Sequence, residues 1–132
     1  MKSISVAIYF FAIWICVNGK MQSVDMKGYL YCDDVPANNI TINMYERDWL
    51  KDDFYGSTVT NNIGYFELSG REDEFLTISP FIIIEHTCGS EPNCIRTTKH
   101  RVPGKVIDKV YNVHRYSLNA WNYDDYETCK DE

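Results

Sequence analysis

Apolar and polar residues alternate in two segments near the start of the chain. The first segment runs from Val24 to Cys32, with Val24, Met26, Gly28 and Leu30 on its apolar phase. The second alternates in the same way from Ile40 to Tyr45. A period of two is typical of a β-strand with one buried face. Residues 33–39 are rich in turn formers, so the pattern predicts two strands joined by a turn.

The most hydrophobic stretch after residue 20 is Ile78 to Cys88, which contains Pro80-Phe81-Ile82-Ile83-Ile84. Aromatic and β-branched residues suit a pleated sheet, and proline can open a strand but cannot lie in the middle of one. We therefore predict a buried strand that begins near Pro80, and we expect the rest of the chain to be organised around it.

Shorter segments predict further strands. Two of them, Tyr55 to Thr60 and the segment containing Phe66 and Leu68, flank a tight-turn sequence, Asn61-Asn62-Ile63-Gly64. A charged loop is expected at residues 71–74, a polar edge strand at 95–102, and two more strands at 106–113 and 116–122. Seven or eight short strands without a helical period predict an all-β fold, an antiparallel β-sandwich.

Residues 1–19 have the layout of a secretory signal peptide, with Lys2, an apolar run from Val6 to Val17, and then Asn18-Gly19. The apolar run is short for a membrane span, and no second candidate follows it. We therefore predict cleavage after Gly19 and a secreted, extracellular protein that does not span a membrane. Residues 20–132 are predicted to form one domain.

The acidic balance of the chain disfavours a nucleic-acid partner. The formal net charge is −6, and it becomes −7 without residues 1–19, which carry Lys2 and no acid. Binding to phosphates requires a basic surface, and the basic residues concentrate in one place only: Arg96, Lys99, His100, Arg101 and Lys105. We interpret this group as a solvated strand and loop.

Four cysteines remain after Cys16 leaves with the signal peptide, an even number that predicts two disulfides in an oxidising compartment. Three pairings are open. The short loop that contains Gly89 and Pro92 favours Cys88 with Cys94, which leaves Cys32 with Cys129. No C-x-x-C pair supports zinc, and the Asp-Asp pairs lack the spacing of a calcium loop. Neither a metal nor another cofactor is expected.

Asn39-Ile40-Thr41 is the N-x-[ST] sequon that follows the signal segment. It lies at a border between a turn and a strand, where a glycan can be accommodated. Asn39 is therefore a predicted glycosylation site.

Several short motifs, each weak alone, occur in an order and spacing that resemble the nematode transthyretin-like proteins. They are Val24-x-Met26-Lys27-Gly28-x-Leu30-x-Cys32, Pro36-Ala37-x-Asn39-Ile40, Tyr45-Glu46-x-Asp48, Thr60-x-x-x-Gly64-x-Phe66-Glu67-Leu68-Ser69-Gly70, Ile78-x-Pro80 and Ile84-x-His86-x-Cys88. The resemblance spans about residues 24 to 118 and implies a transthyretin-like sandwich of two sheets and extracellular work.

The resemblance does not imply catalysis. Related 5-hydroxyisourate hydrolases share the fold, but they place a catalytic histidine on the first strand and end in Tyr-Arg-Gly-Ser. Here the first strand carries Lys27 and no histidine, and the chain ends Cys129-Lys130-Asp131-Glu132. We expect no enzymatic activity. The alternative is a hydrolase of that type with a noncanonical site around His86 or His100 and Glu85.

Tyrosines on the polar phase of the first two strands, Tyr29, Tyr31 and Tyr45, are a candidate binding face, because aromatic rings bury much area with little loss of entropy. We expect a secreted binding or adaptor module that acts in signalling or cell-surface bridging. Its partner would be an extracellular protein, a lipid headgroup or a small apolar ligand. Pairing of edge strands could also give a homodimer.

Overall fold

The computed structural model describes residues 20–47, 50–74 and 78–131, and β-strands account for most of them. The predicted signal segment and Trp49 lie outside the described residues. The strands are β1 (Lys20–Cys32), β2 (Val35–Pro36), β3 (Thr41–Arg47), β4 (Asp52–Val59), β5 (Tyr65–Glu74), β6 (Pro80–His86), β7 (Cys94–Arg101), β8 (Val110–Ser117) and β9 (Tyr126–Cys129). A short 3-10 turn, Gly104–Val106, precedes β8.

The strands form two sheets. In the first sheet, β1 is central and pairs with β2, β5 and β8. The second sheet has the order β4-β3-β6-β7-β9. Every pairing among the described strands is antiparallel except that of β1 with β8, which is parallel. The all-β, two-sheet prediction is therefore confirmed, with one parallel pair that the sequence pattern did not indicate.

The alternation seen in the sequence sets which side chains enter the core. On β1 the apolar phase lies inside and the polar phase outside, and β3 follows the same rule with Ile42 and Met44 completely buried. Burial of these side chains from both sheets is the main favourable term in the stability of the fold. The core comprises Val24, Met26, Leu30, Ile42, Met44, Phe66, Leu68, Ile78, Ile82, Ile84, Cys88, Val102 and Leu118.

The predicted buried strand is β6, which begins at Pro80 and lies between β3 and β7. Ile82 and Ile84 point into the core, whereas Phe81 lies on the opposite face and is still only 4% exposed. The inner face of this strand is thus covered, and so is its outer face at Phe81, whereas Glu85 farther along the outer face is exposed.

The tight turn before β5 is also as predicted. Gly64 has φ +78°, and a Cβ there would lie 2.4 Å from the carbonyl oxygen of Leu30. The Asn61 side-chain oxygen accepts hydrogen bonds from the N–H groups of Ile63 and Tyr65, at 3.1 and 3.0 Å. Glycine is required at this position, and the asparagine fixes the turn around it.

Other boundaries differ from the prediction. The charged residues 71–74 are not a loop but the end of β5, where they pair with the beginning of β1. One strand, β8, replaces the two predicted at 106–113 and 116–122, and the tail adds β9. The predicted edge position of β7 is wrong over residues 94–97, since β9 pairs with that half.

The disulfide pairing differs as well. Cys32 is bonded to Cys88, and Cys94 to Cys129. The prediction of two disulfides from these four cysteines is confirmed, but the predicted pairs Cys88–Cys94 and Cys32–Cys129 are wrong. Strand pairing decides the outcome: β9 lies against β7 with Cys129 directly opposite Cys94, which leaves Cys88 for the end of β1.

Peptide mapping under non-reducing conditions tests this connectivity. We expect one linked peptide pair that joins Cys32 to Cys88 and another that joins Cys94 to Cys129, and both pairs should separate after reduction. The bridges close loops of 56 and 35 residues. Each should therefore contribute about 4 kcal/mol to stability through loop-closure entropy. A linked peptide pair that joins Cys88 to Cys94 would contradict the structure.

Candidate binding site

A cleft of about 320 Å³ opens at one end of the five-stranded sheet, where β3 and β7 end and β6 begins. Because β6 runs antiparallel to β3 and β7, its first residues lie beside the last residues of both neighbours, with Pro80 opposite Glu46 and Phe81 opposite Arg101. The residues that line the cleft come from these strand ends: Arg47, Ile78, Ser79, Pro80, Phe81, Lys99, Arg101, Val102 and Gly104.

A row of aromatic side chains crosses the sheet beside this cleft. Tyr45 lies between Phe54 and Phe81, with its ring centroid 5.7 Å from each, and it stacks on Phe81 with an interplanar angle of 22°. These three residues are register partners on β4, β3 and β6. Phe81 is buried beneath its neighbours, whereas Phe54 at the sheet edge is 61% exposed. The row therefore continues the apolar floor of the cleft to the edge of the sheet.

Three cationic side chains line the same cleft. The Nζ of Lys99 lies 4.2 Å from the centroid of the Phe81 ring, a cation–π contact. The side chain of Arg101 is 62% exposed, and its guanidinium lies 3.2 Å from a carboxylate oxygen of Asp124. Arg47 is exposed at the end of β3. The cleft thus combines an apolar floor with a positively charged rim, in a chain whose formal net charge is −6.

Two residues of the predicted tyrosine face lie elsewhere, so the prediction of one shared face is wrong. Tyr45 belongs to the outer surface of the five-stranded sheet, but Tyr29 and Tyr31 are on β1, in the other sheet. Tyr29 pairs with Tyr65 at a centroid distance of 5.0 Å, and the Tyr31 ring lies under the guanidinium of Arg115. The first and second predicted strands enter different sheets, so their outward phases face opposite sides of the sandwich.

Sequence reasoning also missed the cleft, because it treated the basic residues of β7 as one group. Alternation along the strand divides them: Arg96 and His100 point inward, whereas Lys99 and Arg101 point outward. A period-two separation of this segment would have found the outward pair. The contribution of Arg47 depends on the pairing of β3 with β6, which no local pattern contains.

Arg96 is completely buried and holds the β8–β9 loop in place. Its guanidinium donates hydrogen bonds to the carbonyl oxygens of Cys88, Leu118 and Ala120, at 2.8, 2.7 and 3.1 Å. It also lies 3.4 Å from a carboxylate oxygen of Asp125, whose side chain is likewise fully buried. The loop residue Trp121 covers the guanidinium at 4.0 Å from its ring centroid.

The Asp125 carboxylate has further donors. It accepts hydrogen bonds from the backbone N–H groups of Lys99 and Asn122, both at 3.1 Å, and from the Thr98 hydroxyl at 3.3 Å. A buried carboxylate with several donors and an opposite charge is well compensated. Asp125 therefore connects the loop to the same stretch of β7 that carries Lys99 and Arg101.

His86 is the last residue of β6. It lines a second cleft, of about 300 Å³, which also borders the Cys32–Cys88 bridge. Its Nδ1 accepts a hydrogen bond from the N–H of Cys88 at 3.1 Å, which leaves the proton on Nε2, 2.8 Å from the Thr98 hydroxyl oxygen. Burial, together with the nearby positive charge of Arg96, lowers the pKa of His86 to about 4. His86 is thus a neutral histidine with both ring nitrogens engaged.

The parts of the alternative hydrolase site are not brought together. Glu85 is exposed on the outer face of β6, whereas His86 is buried on the inner face. His100 also points inward, where its Nε2 lies 3.0 Å from the Tyr111 hydroxyl, and burial lowers its pKa. The alternation of strand side chains therefore separates the carboxylate from both histidines.

Two other predicted features concern metals and glycosylation. Among the described residues, one group of side chains has the proximity that metal ligation needs, namely Cys94, Glu127 and Cys129, but its two sulfur atoms are bonded to each other. Asn39 is exposed in a turn with φ 61°. Its glycosylation stays a prediction.

Comparison with known proteins identifies the family. The model of the transthyretin-like family, TTR-52, matches residues 27–103. Transthyretin-like protein 16 of Caenorhabditis elegans is 30% identical over 132 residues, covering 98% of this chain and 100% of that one. Transthyretin-like protein 5 of the same nematode is 37% identical over 95 residues, or 69% and 68% of the two chains. The chain belongs to the transthyretin-like family, as its motifs predict.

Replacement of Asp125 by asparagine tests the buried ion pair. We expect the free energy of unfolding to fall by about 3 kcal/mol, because Arg96 would keep a buried charge without its counter-charge. The matched control is Asp124→Asn in the next position, which removes an exposed ion pair and should cost less than about 1 kcal/mol. Urea unfolding measures both, and equal losses in the two variants would contradict the role of Asp125.

Acid should destabilise the protein through His86. The folded-state pKa of about 4 lies below the ordinary value of 6.5, so stability is fully present above pH 6.5 and is lost as the pH falls towards 4. At pH 5 the loss is on the order of 2 kcal/mol, which His86→Gln should remove. The free energy of unfolding is measured at pH 7.5 and pH 5 for the wild-type protein and for His86→Gln. The control is His114→Gln, a replacement of an exposed histidine. Burial also lowers the pKa of His100, so a smaller decrease is expected to remain in His86→Gln. A decrease as large as that of the wild-type protein would contradict the assignment to His86.

Proposed function

We propose that the protein is a secreted, extracellular binding module without catalytic activity, and that it engages its ligand at the cleft between the ends of β3, β6 and β7. The observation that carries this proposal is the combination of an apolar floor with three cations in a single recess. Ligand sites are concave and mostly apolar, with a few polar groups that fix orientation, and this recess meets that description.

Secretion is supported by the layout of residues 1–19 and by the two disulfides, which form and persist in oxidising compartments. In the described part of the chain, no helix has the length and apolar character that a membrane crossing demands.

The absence of catalysis is part of the proposal. A nucleophile or general base requires groups that converge on a position where a substrate atom can lie. The lining of the cleft offers cations and apolar side chains, with Ser79 as its hydroxyl, and both ring nitrogens of His86 are already hydrogen bonded. Binding is therefore better supported than hydrolysis of the 5-hydroxyisourate type.

A second copy of the chain is a proposed partner through β8. Among the described strands, β8 pairs on one side only, with β1, so its other edge offers backbone groups for strand pairing. Size-exclusion chromatography with light scattering would report a mass of two chains if this edge is used, and a mass of one chain would remove the dimer from the proposal.

A binding panel tests the function. Purified protein is titrated with phosphatidylcholine vesicles, with and without phosphatidylserine, and with small apolar anions. We expect at least one component to bind, and Lys99→Gln with Arg101→Gln to weaken that binding about tenfold or more. The control is Arg115→Gln, since Arg115 is another exposed arginine in an ion pair, 2.7 Å from Asp34, but it lies on the other sheet.

Two results would contradict the proposal. One is a panel in which nothing binds the wild-type protein. The other is a ligand that binds the wild-type and Lys99→Gln/Arg101→Gln proteins equally well, which would place the binding site elsewhere. Turnover of 5-hydroxyisourate above its spontaneous decay would contradict the non-catalytic part.

A further inference from the structure

We infer that the cleft recognises a small organic carboxylate, that is, a single apolar body that carries one anionic head group. This inference rests on the proposed function, because it names the ligand class of the same site. It follows from the size of the recess, from the chemistry of its floor and from the charges of its rim.

The floor is apolar and partly preformed. Ile78, Phe81 and Val102 are 2%, 4% and 6% exposed, and Pro80 is buried beside them. They are held by β6 and its neighbours, so a ligand need not order them on binding. The volume of about 320 Å³ lies at the low end for ligand pockets, which limits the ligand to a small apolar body.

The rim requires a negative charge on that body. Among the described residues that line the cleft, Arg47, Lys99 and Arg101 are cationic and none is acidic. A cationic ligand would meet three like charges, and a neutral one would bring no counter-charge to them. Arginine side chains bind carboxylates through two parallel hydrogen bonds, and the ammonium of Lys99 supplies up to three more donors.

Lys99 also sets the distance between the anionic group of the ligand and its apolar part. Its ammonium group lies directly over the Phe81 ring, at 4.2 Å, so the charge and the apolar floor are in contact. A ligand that satisfies both must carry its anionic group immediately next to its apolar part. An inorganic anion would not cover the apolar floor, and an alcohol would bring no counter-charge to the rim.

Asp124 is an internal competitor for the same cation. Its carboxylate accepts a hydrogen bond from one terminal nitrogen of the Arg101 guanidinium, at 3.2 Å. A ligand carboxylate must share Arg101 with it and is repelled by its charge. Removal of this charge should therefore strengthen the binding of an anion, an effect that a merely destabilising substitution cannot produce.

The acidic chain argues against a broad anionic surface as the occupant. At a formal net charge of −6 the protein as a whole is repelled from an anionic membrane, whereas a small anion meets only the local field of the cleft. We therefore commit to a small carboxylate, and a bilayer becomes an alternative outcome of the test.

Four probes with matched chemistry test this inference, measured by titration calorimetry and by amide chemical shifts. They are octanoate, octanol, octyltrimethylammonium and acetate. We expect octanoate to bind, with shifts centred on Phe81, Arg101 and Val102, and the other three to bind at least tenfold more weakly. Lys99→Gln and Arg101→Gln should each weaken octanoate about tenfold, Asp124→Asn should strengthen it several-fold, and Arg115→Gln should leave it unchanged. Thermal unfolding verifies that each variant is folded.

The outcomes separate this inference from the proposed function. Equal binding of octanol and octanoate, or Asp124→Asn that weakens octanoate, would overturn the carboxylate assignment. Octanoate could fail to bind while phosphatidylserine vesicles bind and Arg101→Gln abolishes the vesicle binding. That result would support the proposed binding function at this cleft and would overturn the assignment of a small carboxylate as the ligand. If no probe and no vesicle binds, both are wrong.

Discussion

The buried guanidinium of Arg96 is the interaction on which the arrangement of the C-terminal third depends. A charge without solvent is costly unless it is paired and hydrogen bonded. Arg96 obtains its partners from three places: the disulfide-bearing turn at Cys88, the loop carbonyls of Leu118 and Ala120, and the carboxylate of Asp125. The path of the chain from β8 to β9 brings the last three of these partners to the guanidinium, so the buried charge stabilises that path.

The same network also reaches the candidate site. Asp125 accepts from the backbone N–H of Lys99, and the adjacent Asp124 contacts Arg101. The outward side chains of β7 are thus held by a loop whose own position depends on an inward side chain of the same strand. The alternating geometry of a strand permits this, since successive residues serve the core and the surface in turn.

The sequence predicts the fold well where the period of two is uninterrupted. Val24, Met26 and Leu30 on β1, and Ile42 and Met44 on β3, are buried as the alternation requires. The sequence does not predict the features that depend on pairing between distant segments of the chain. The charged end of β5 is a strand because β1 is long enough to pair with it, and the disulfide partners follow from the position of β9 against β7. The sequence did not predict the candidate site for the same reason. Tyr29 and Tyr45 both lie on the outward phase of their strands, but the strands belong to different sheets. Arg47 reaches the cleft only through the pairing of β3 with β6.

The disulfide connectivity has a consequence for survival among extracellular proteases. The Cys32–Cys88 bridge encloses residues 33–87, and the Cys94–Cys129 bridge encloses residues 95–128, so a single cut inside either segment leaves the two pieces covalently joined. Residues 89–93 lie between the two loops, and Glu91, Pro92 and Asn93 are exposed there. A cut in this connection would separate an N-terminal piece from a C-terminal one. The two pieces would then be held together only by noncovalent contacts, among them the pairing of β1 with β8 and of β6 with β7, the shared core and the ion pair of Arg115 with Asp34. The five residues between the bridges are therefore a point at which one cleavage divides the molecule into two large fragments without a covalent link.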